Sequence, residues 1–258
     1  MAQEIPPNKL KPPQHNRALN RQRLFSLLDR CLEYPVTWIS GSAGAGKTTL
    51  ALTYLQAKGL RPLWYQVDES DCDLASFFFH LTELVKQHAP QHSILPPLTA
   101  EYLHGIPVFT RNFAAQFYGY LPAGSVLVFD NFQDAGPDNP LDSILPEFLA
   151  AIPPHLHIIF LSRTISPDTI SHLLDSDHVQ SINWQHLQFT EEEIHDPIEL
   201  QDNRPSFSRN EIANLHENTQ AWAASSCFIS YGGAAILTRP ISWSRPCRKN
   251  WSIPMPLR

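Results

Sequence analysis

The sequence predicts an α/β protein, a doubly wound parallel sheet flanked by helices, with the start of a small helical C-terminal subdomain. Three observations carry this. Short apolar runs alternate with amphipathic stretches from residue 36 to residue 184, the pattern of strand–helix–strand units. A glycine-rich turn, Gly41 to Thr48, joins the first apolar run to the first long helical stretch. A later run, Ser125 to Asp130, is apolar until it ends in a carboxylate. A chain of 258 residues, 43% hydrophobic and 17% charged, has room for one such core and a small second domain.

Residues 1–20 form an expected extended arm, with four prolines in the first sixteen positions. Arg21 to Cys31 places Leu24, Leu27, Leu28 and Cys31 at helical spacing. Val36 to Ser40 is β-branched and aromatic, fit for a buried strand. A helix over Thr49–Leu60 and a strand over residues 62–67 follow, with Gly59 as the helix stop. Asp68 to Asp73 is an acidic turn before a helix over Leu74–His88, whose Phe77, Phe78 and Phe79 read as core. Helices over Phe109–Tyr120 and Leu145–Ile152 flank the strand Ser125–Asp130, and His157–Leu161 and Val179–Trp184 are the last strands. Thr190 and Glu193 have the spacing of a capping box. The expected organisation is therefore an arm, a core over 21–186, an incomplete helical subdomain over 187–228 and an irregular tail over 229–258.

Gly41-Ser42-Ala43-Gly44-Ala45-Gly46-Lys47-Thr48 matches G-x-x-x-x-G-K-[ST], in the strand–loop–helix context that this phosphate-binding loop (P-loop) requires. Glycines let successive amides turn inward around a phosphate, and the following helix points its N-terminal amides at the same anion. Lys47 is expected at the β- and γ-phosphates and Thr48 at Mg²⁺, with Thr49 beside them. Asp130, ending an apolar strand downstream of a P-loop, is in the Walker B arrangement, where it orients Mg²⁺ and its waters. Two positions are open. Ser162-Arg163 falls where a polar residue senses a γ-phosphate, or is simply a strand leaving the core. Arg21 and Arg23 are a solvated first turn, or lie beside the adenine.

The totals exclude some classes. No apolar run reaches the length of a membrane span and the N-terminus has no signal-peptide core, so a cytoplasmic protein is expected. Cys31, Cys72, Cys227 and Cys247 are far apart and match no zinc or disulfide pattern. The twelve histidines show no ligand spacing and read as solvated. Net charge is −6, yet both ends are basic, and the last 41 residues contain no Asp or Glu.

With these motifs collected, the chain resembles the N-terminal ATPase module of STAND proteins (signal-transduction ATPases with numerous domains), in particular the MalT-like branch of LuxR-type transcriptional regulators. The P-loop, Asn20–Leu24, Trp64–Asp68 with Asp71 and Asp73, Leu127–Gln133, Phe160–Arg163, Leu187–Ile194 and Thr219–Ala224 carry the resemblance, in order, over residues 5 to 228. The wider AAA-related ATPases share the fold and motifs. The resemblance implies an ATP/ADP switch with Mg²⁺, Arg163 at the γ-phosphate, Arg21 or Arg23 near the base, and a homo-oligomer in the ATP state. Two departures stand out. Asn131 replaces the second acid that usually follows the Walker B Asp, and an amide takes no proton from water, so hydrolysis is expected to be weak. From about Phe228 the chain turns Ser-, Arg-, Pro- and Trp-rich instead of continuing toward a DNA-binding helix-turn-helix. That tail is either a basic tail or, as expected here, the mark of a truncated module. A non-enzymatic nucleotide-binding interaction protein and a small-molecule P-loop kinase are the other readings.

Overall fold

Packing of the apolar strands decides the architecture. The computed structural model describes residues 8–14, 20–88, 95–102, 104–136, 139–170, 178–190 and 193. Five strands, β1 (Val36–Ser40), β2 (Arg61–Gln66), β3 (Ser125–Asp130), β4 (His157–Ser162) and β5 (Val179–Ile182), form one sheet in the order β2-β3-β4-β1-β5. Every pairing is parallel. Residues of β1, β3 and β4 are buried throughout, as expected of strands covered on both faces.

Helices α1 (Gln22–Cys31) and α2 (Lys47–Ala57) cover one face, where Leu24, Leu28, Leu50 and Tyr54 meet Ile39, Val128, Ile159 and Leu161. Helices α3 (Leu74–His88), α4 (Ile106–Tyr120) and α5 (Leu141–Leu149) cover the other, packing Phe77, Phe78, Phe113, Phe117 and Phe148 against Trp38, Phe129 and Phe160. The doubly wound parallel sheet predicted from alternation is therefore the fold.

Several boundaries move for local reasons. α2 begins at Lys47 and stops before Gly59, which takes φ 64°. α5 begins at Leu141 rather than Leu145, after a turn in which Asn139 Oδ1 accepts from the Leu141 amide at 3.0 Å, and its N-cap residue is Pro140. β5 ends at Ile182, and Asn183 caps a four-residue helix, Trp184–Leu187. The capping box read at Thr190 is present: Glu193 N donates to Thr190 Oγ1 at 3.2 Å and Thr190 N to Glu193 Oε2 at 3.1 Å.

Part of the expected extended arm is docked. Residues 8–11 close a turn, the Gln66 amide donates to Lys9 O at 2.8 Å, and Leu10 joins the core. The Lys9 side chain is fully buried, with Nζ 2.8 Å from Asp68 Oδ2 and 2.7 Å from Asp71 Oδ2. Two histidines depart from the expected solvated state: His80 and His157 are buried on α3 and β4. Cys31 is buried and Cys72 exposed. Residues 194–258, which hold most of the expected helical subdomain with Cys227 and all of the tail with Cys247, lie outside the described residues.

Candidate functional site

All five strands run the same way, so their C-terminal ends share one edge, and the loops leaving β1, β3 and β4 meet there. The loop after β1 is the glycine-rich stretch. Gly44 and Gly46 have φ 78° and 81°, in the left-handed region where a Cβ is costly. Gly41 serves a different purpose. A Cβ there would lie 3.0 Å from Leu187 Cδ1 and 3.3 Å from the Ala45 Cβ, so its role is close packing rather than a special dihedral. Ser42, Ala43 and Gly44 are exposed while Ala45 is buried, leaving the rim of the loop open at the sheet edge.

Lys47, the first residue of α2, turns back over the loop. Its Nζ donates to the carbonyls of Gly41 at 2.6 Å and Ser42 at 3.0 Å. Burial pulls its pKa down and the charge of Arg163 adds to this, while Asp130 opposes it. The Thr48 hydroxyl lies 3.0 and 3.1 Å from the two carboxylate oxygens of Asp130, joining positions 82 residues apart. Burial raises the Asp130 pKa, and the charge of Asp134 adds to that rise. The bonds from Thr48 and the Asn131 amide and the charge of Lys47 act the other way. Thr49 is half-buried, and its carbonyl accepts from Thr53 inside α2.

The loops from β3 and β4 complete the edge. Asn131 sits at φ 58°, ψ 40°, a left-handed position that Asn tolerates better than most residues. Its amide donates to Asp130 Oδ1 at 2.9 Å. Gln133 Oε1 accepts from the Arg163 backbone N–H at 2.8 Å. The charges of Arg163 and Asp130 act on Lys47 in opposite senses. Ser162 carries no free hydroxyl to the site. Its Oγ pairs with Thr164 Oγ1 at 2.9 Å, and its carbonyl accepts from Gly41 N at 3.2 Å.

Arg21 and Arg23 bind protein groups. Arg21 is buried and donates to the carbonyls of Leu187 and Gln188 and to Glu193 Oε2, at 2.9, 2.8 and 2.8 Å, with its guanidinium 4.1 Å from the Phe189 ring centre. Arg23 donates to the His186 and Gln188 carbonyls and lies 3.3 Å from the same Glu193 oxygen. Burial works against the Glu193 charge, yet Arg21 chiefly holds its pKa below the usual value. Both arginines therefore anchor the 186–193 segment, whose Leu187 packs on Gly41. Gln133 and Glu193 were missed as site-shaping residues. Their partners lie far away in sequence; the capping-box spacing marked Glu193, and both residues fall in segments that carry the resemblance.

No protein-family model matches the chain. It is 26% identical over 223 residues to the HTH-type transcriptional regulator MalT of Serratia proteamaculans, covering 85% of this chain and 24% of that one. MalT of Cronobacter sakazakii is 28% identical over 194 residues, 73% of this chain and 21% of that one. The chain thus spans under a quarter of the length of these relatives. Among solved structures, a STAND protein with a tetratricopeptide repeat sensor from Pyrococcus horikoshii superposes with a TM-score of 0.53 at 18% identity, over 88% of this chain and 32% of that one. The resemblance drawn from the motifs holds: the chain is similar to MalT over most of its length, and its P-loop NTPase fold is shared with that Pyrococcus horikoshii STAND protein.

Proposed function

We propose that this chain is the ATP-binding module of a STAND-type signalling or transcriptional regulator, a switch set by whether ATP or ADP is held. The observation that carries the reading is the meeting of Thr48 and Asp130 beside a glycine loop whose lysine rests on carbonyls rather than on a carboxylate. The donor set fits Mg²⁺-nucleotide. The loop after Gly41, whose own amide is held by Ser162 O, supplies backbone amides, Lys47 swings from Gly41 O to a β- or γ-phosphate oxygen, and Thr49 follows at the start of α2. Thr48 would ligate Mg²⁺ and Asp130 would orient its waters. Mg²⁺, when bound, neutralises charge on the β- and γ-oxygens. A dication there also favours the ionised form of Asp130, which burial alone disfavours.

Arg163 is assigned to the γ-phosphate, with Ser162 shaping the turn that presents it. Arg21 and Arg23 are assigned to the wall beside the base, acting through the 186–193 segment that they hold. Homo-oligomerisation in the ATP state and a continuing helical subdomain over 187–228 belong to the same proposal. No helix among the described residues is long and apolar enough to cross a membrane.

Hydrolysis should be slow, because Asn131 offers no proton acceptor. A second reading, nucleotide held purely as a structural ligand, is favoured by the same residue. Phosphate release with excess MgATP separates them, measured on the unaltered chain and on Asn131→Asp, a substitution that the left-handed backbone tolerates. A general base contributes 10²- to 10⁴-fold in enzymes, so even a poorly aimed carboxylate should raise release about tenfold at unchanged affinity. Brisk release by the unaltered chain would contradict the slow-switch reading. No gain in the variant, with ATP still bound, would favour the structural ligand.

A further inference from the structure

The turns after β3 and β4 are fixed to each other and to the strand that feeds the P-loop. Phe132, 2% exposed, sets its ring edge-on to Trp38 at 5.3 Å and to Phe160 at 5.1 Å. Trp38 Nε1 in turn donates to Thr164 O at 3.1 Å, which pins the far side of the turn carrying Arg163. Between these anchors lies one side-chain amide. Gln133 Oε1 accepts from the Arg163 main-chain N–H at 2.8 Å, and Gln133 Nε2 donates to Asp134 Oδ1 at 2.8 Å. The amide therefore ties the turn beside Asp130 to the turn that carries Arg163, across 30 residues.

Arg163 is exposed, so the aim of its long side chain depends on where the main chain places Cα. We propose that Gln133 is the positioning residue for Arg163, and that by holding its main chain against the turn after β3 it sets the preference of the site for ATP over ADP. The proposal rests on the nucleotide reading and on Arg163 meeting the γ-phosphate. ADP lacks that group, so a residue acting only through Arg163 affects ATP and leaves ADP nearly untouched. A residue that merely supports the turn would also disturb Asp130 and Thr48, and would weaken both nucleotides together.

The test is calorimetric titration of the full chain with MgATP and MgADP, with thermal unfolding of each variant measured alongside. Loss of one net hydrogen bond predicts that Gln133→Ala weakens ATP roughly five- to tenfold and ADP less than twofold. In an Arg163→Ala background the same change should add nothing, since coupled positions are non-additive. The swapped pair Gln133→Glu with Asp134→Asn keeps an acceptor for the Arg163 amide and reverses the second bond. It should recover most of the ATP affinity. Equal losses for ATP and ADP, no loss for either, a full effect persisting without Arg163, or no recovery in the swap would each overturn the proposal. If the unaltered chain binds neither nucleotide, the nucleotide reading itself fails and this proposal with it. If it binds both, only the role of Gln133 is in question.

Discussion

His157 lies on β4 at the end of the sheet away from the P-loop, 7% exposed, with Nε2 2.9 Å from the Thr37 hydroxyl. Burial pushes its pKa down from 6.5 to about 4. The unfolded chain therefore takes up the proton first, and stability is lost as pH falls through 6.5 and levels off below about 4. With 1.36 kcal/mol per unit, this one residue should cost about 2 kcal/mol between pH 7 and pH 5. Urea unfolding of the unaltered chain and of His157→Gln at both values checks it. The variant should lose about that much less on acidification. Identical pH dependence would place the acid sensitivity elsewhere. The sequence placed this histidine at the start of an expected strand but not in the core, since its polar type reads as solvated. Asn131 was legible as a missing acid but not as a left-handed residue, because φ depends on the turn that the folded chain makes.

The elements were read most faithfully where sequence and burial carry the same signal. β1, β3 and β4 are buried over their whole length and mostly apolar at their centres, because both faces are covered. Helix starts were less legible: the Asn139 turn that precedes α5 and the Pro146 in its interior pull a sequence reading in opposite directions. The docked arm was not legible at all. A lysine among prolines reads as solvated until Asp68 and Asp71 of the turn after β2 are brought to it. Asp71 is fully buried and is also reached by the Tyr65 hydroxyl at 2.6 Å and by His80 at 3.3 Å. Removing the cation strands a buried carboxylate, a class of change that costs about 3–5 kcal/mol. Lys9→Ala should therefore destabilise the chain by about 3 kcal/mol in denaturant unfolding, far more than an alanine on an unattached arm. A change below about 0.5 kcal/mol, usual for surface positions, would mean that the arm contributes nothing to the core.

For the molecule as a whole, the P-loop was legible because its chemistry is contiguous: eight residues specify the turn, the cation and the hydroxyl. The rest of the edge depends on strand order. β4 lies between β3 and β1, so Arg163 falls beside both Gln133 and the P-loop, and only the assembled sheet reveals that neighbourhood. The similarity to MalT and the fold agree with this layout. The central claim is that Lys47 and the glycine loop hold nucleotide phosphates. The most direct measurement is calorimetric titration of MgATP into the unaltered chain and into Lys47→Ala. Saturable binding that is lost in the variant, with its thermal unfolding unchanged, is the result predicted here. Undiminished affinity in Lys47→Ala, or no binding by the unaltered chain, would contradict it.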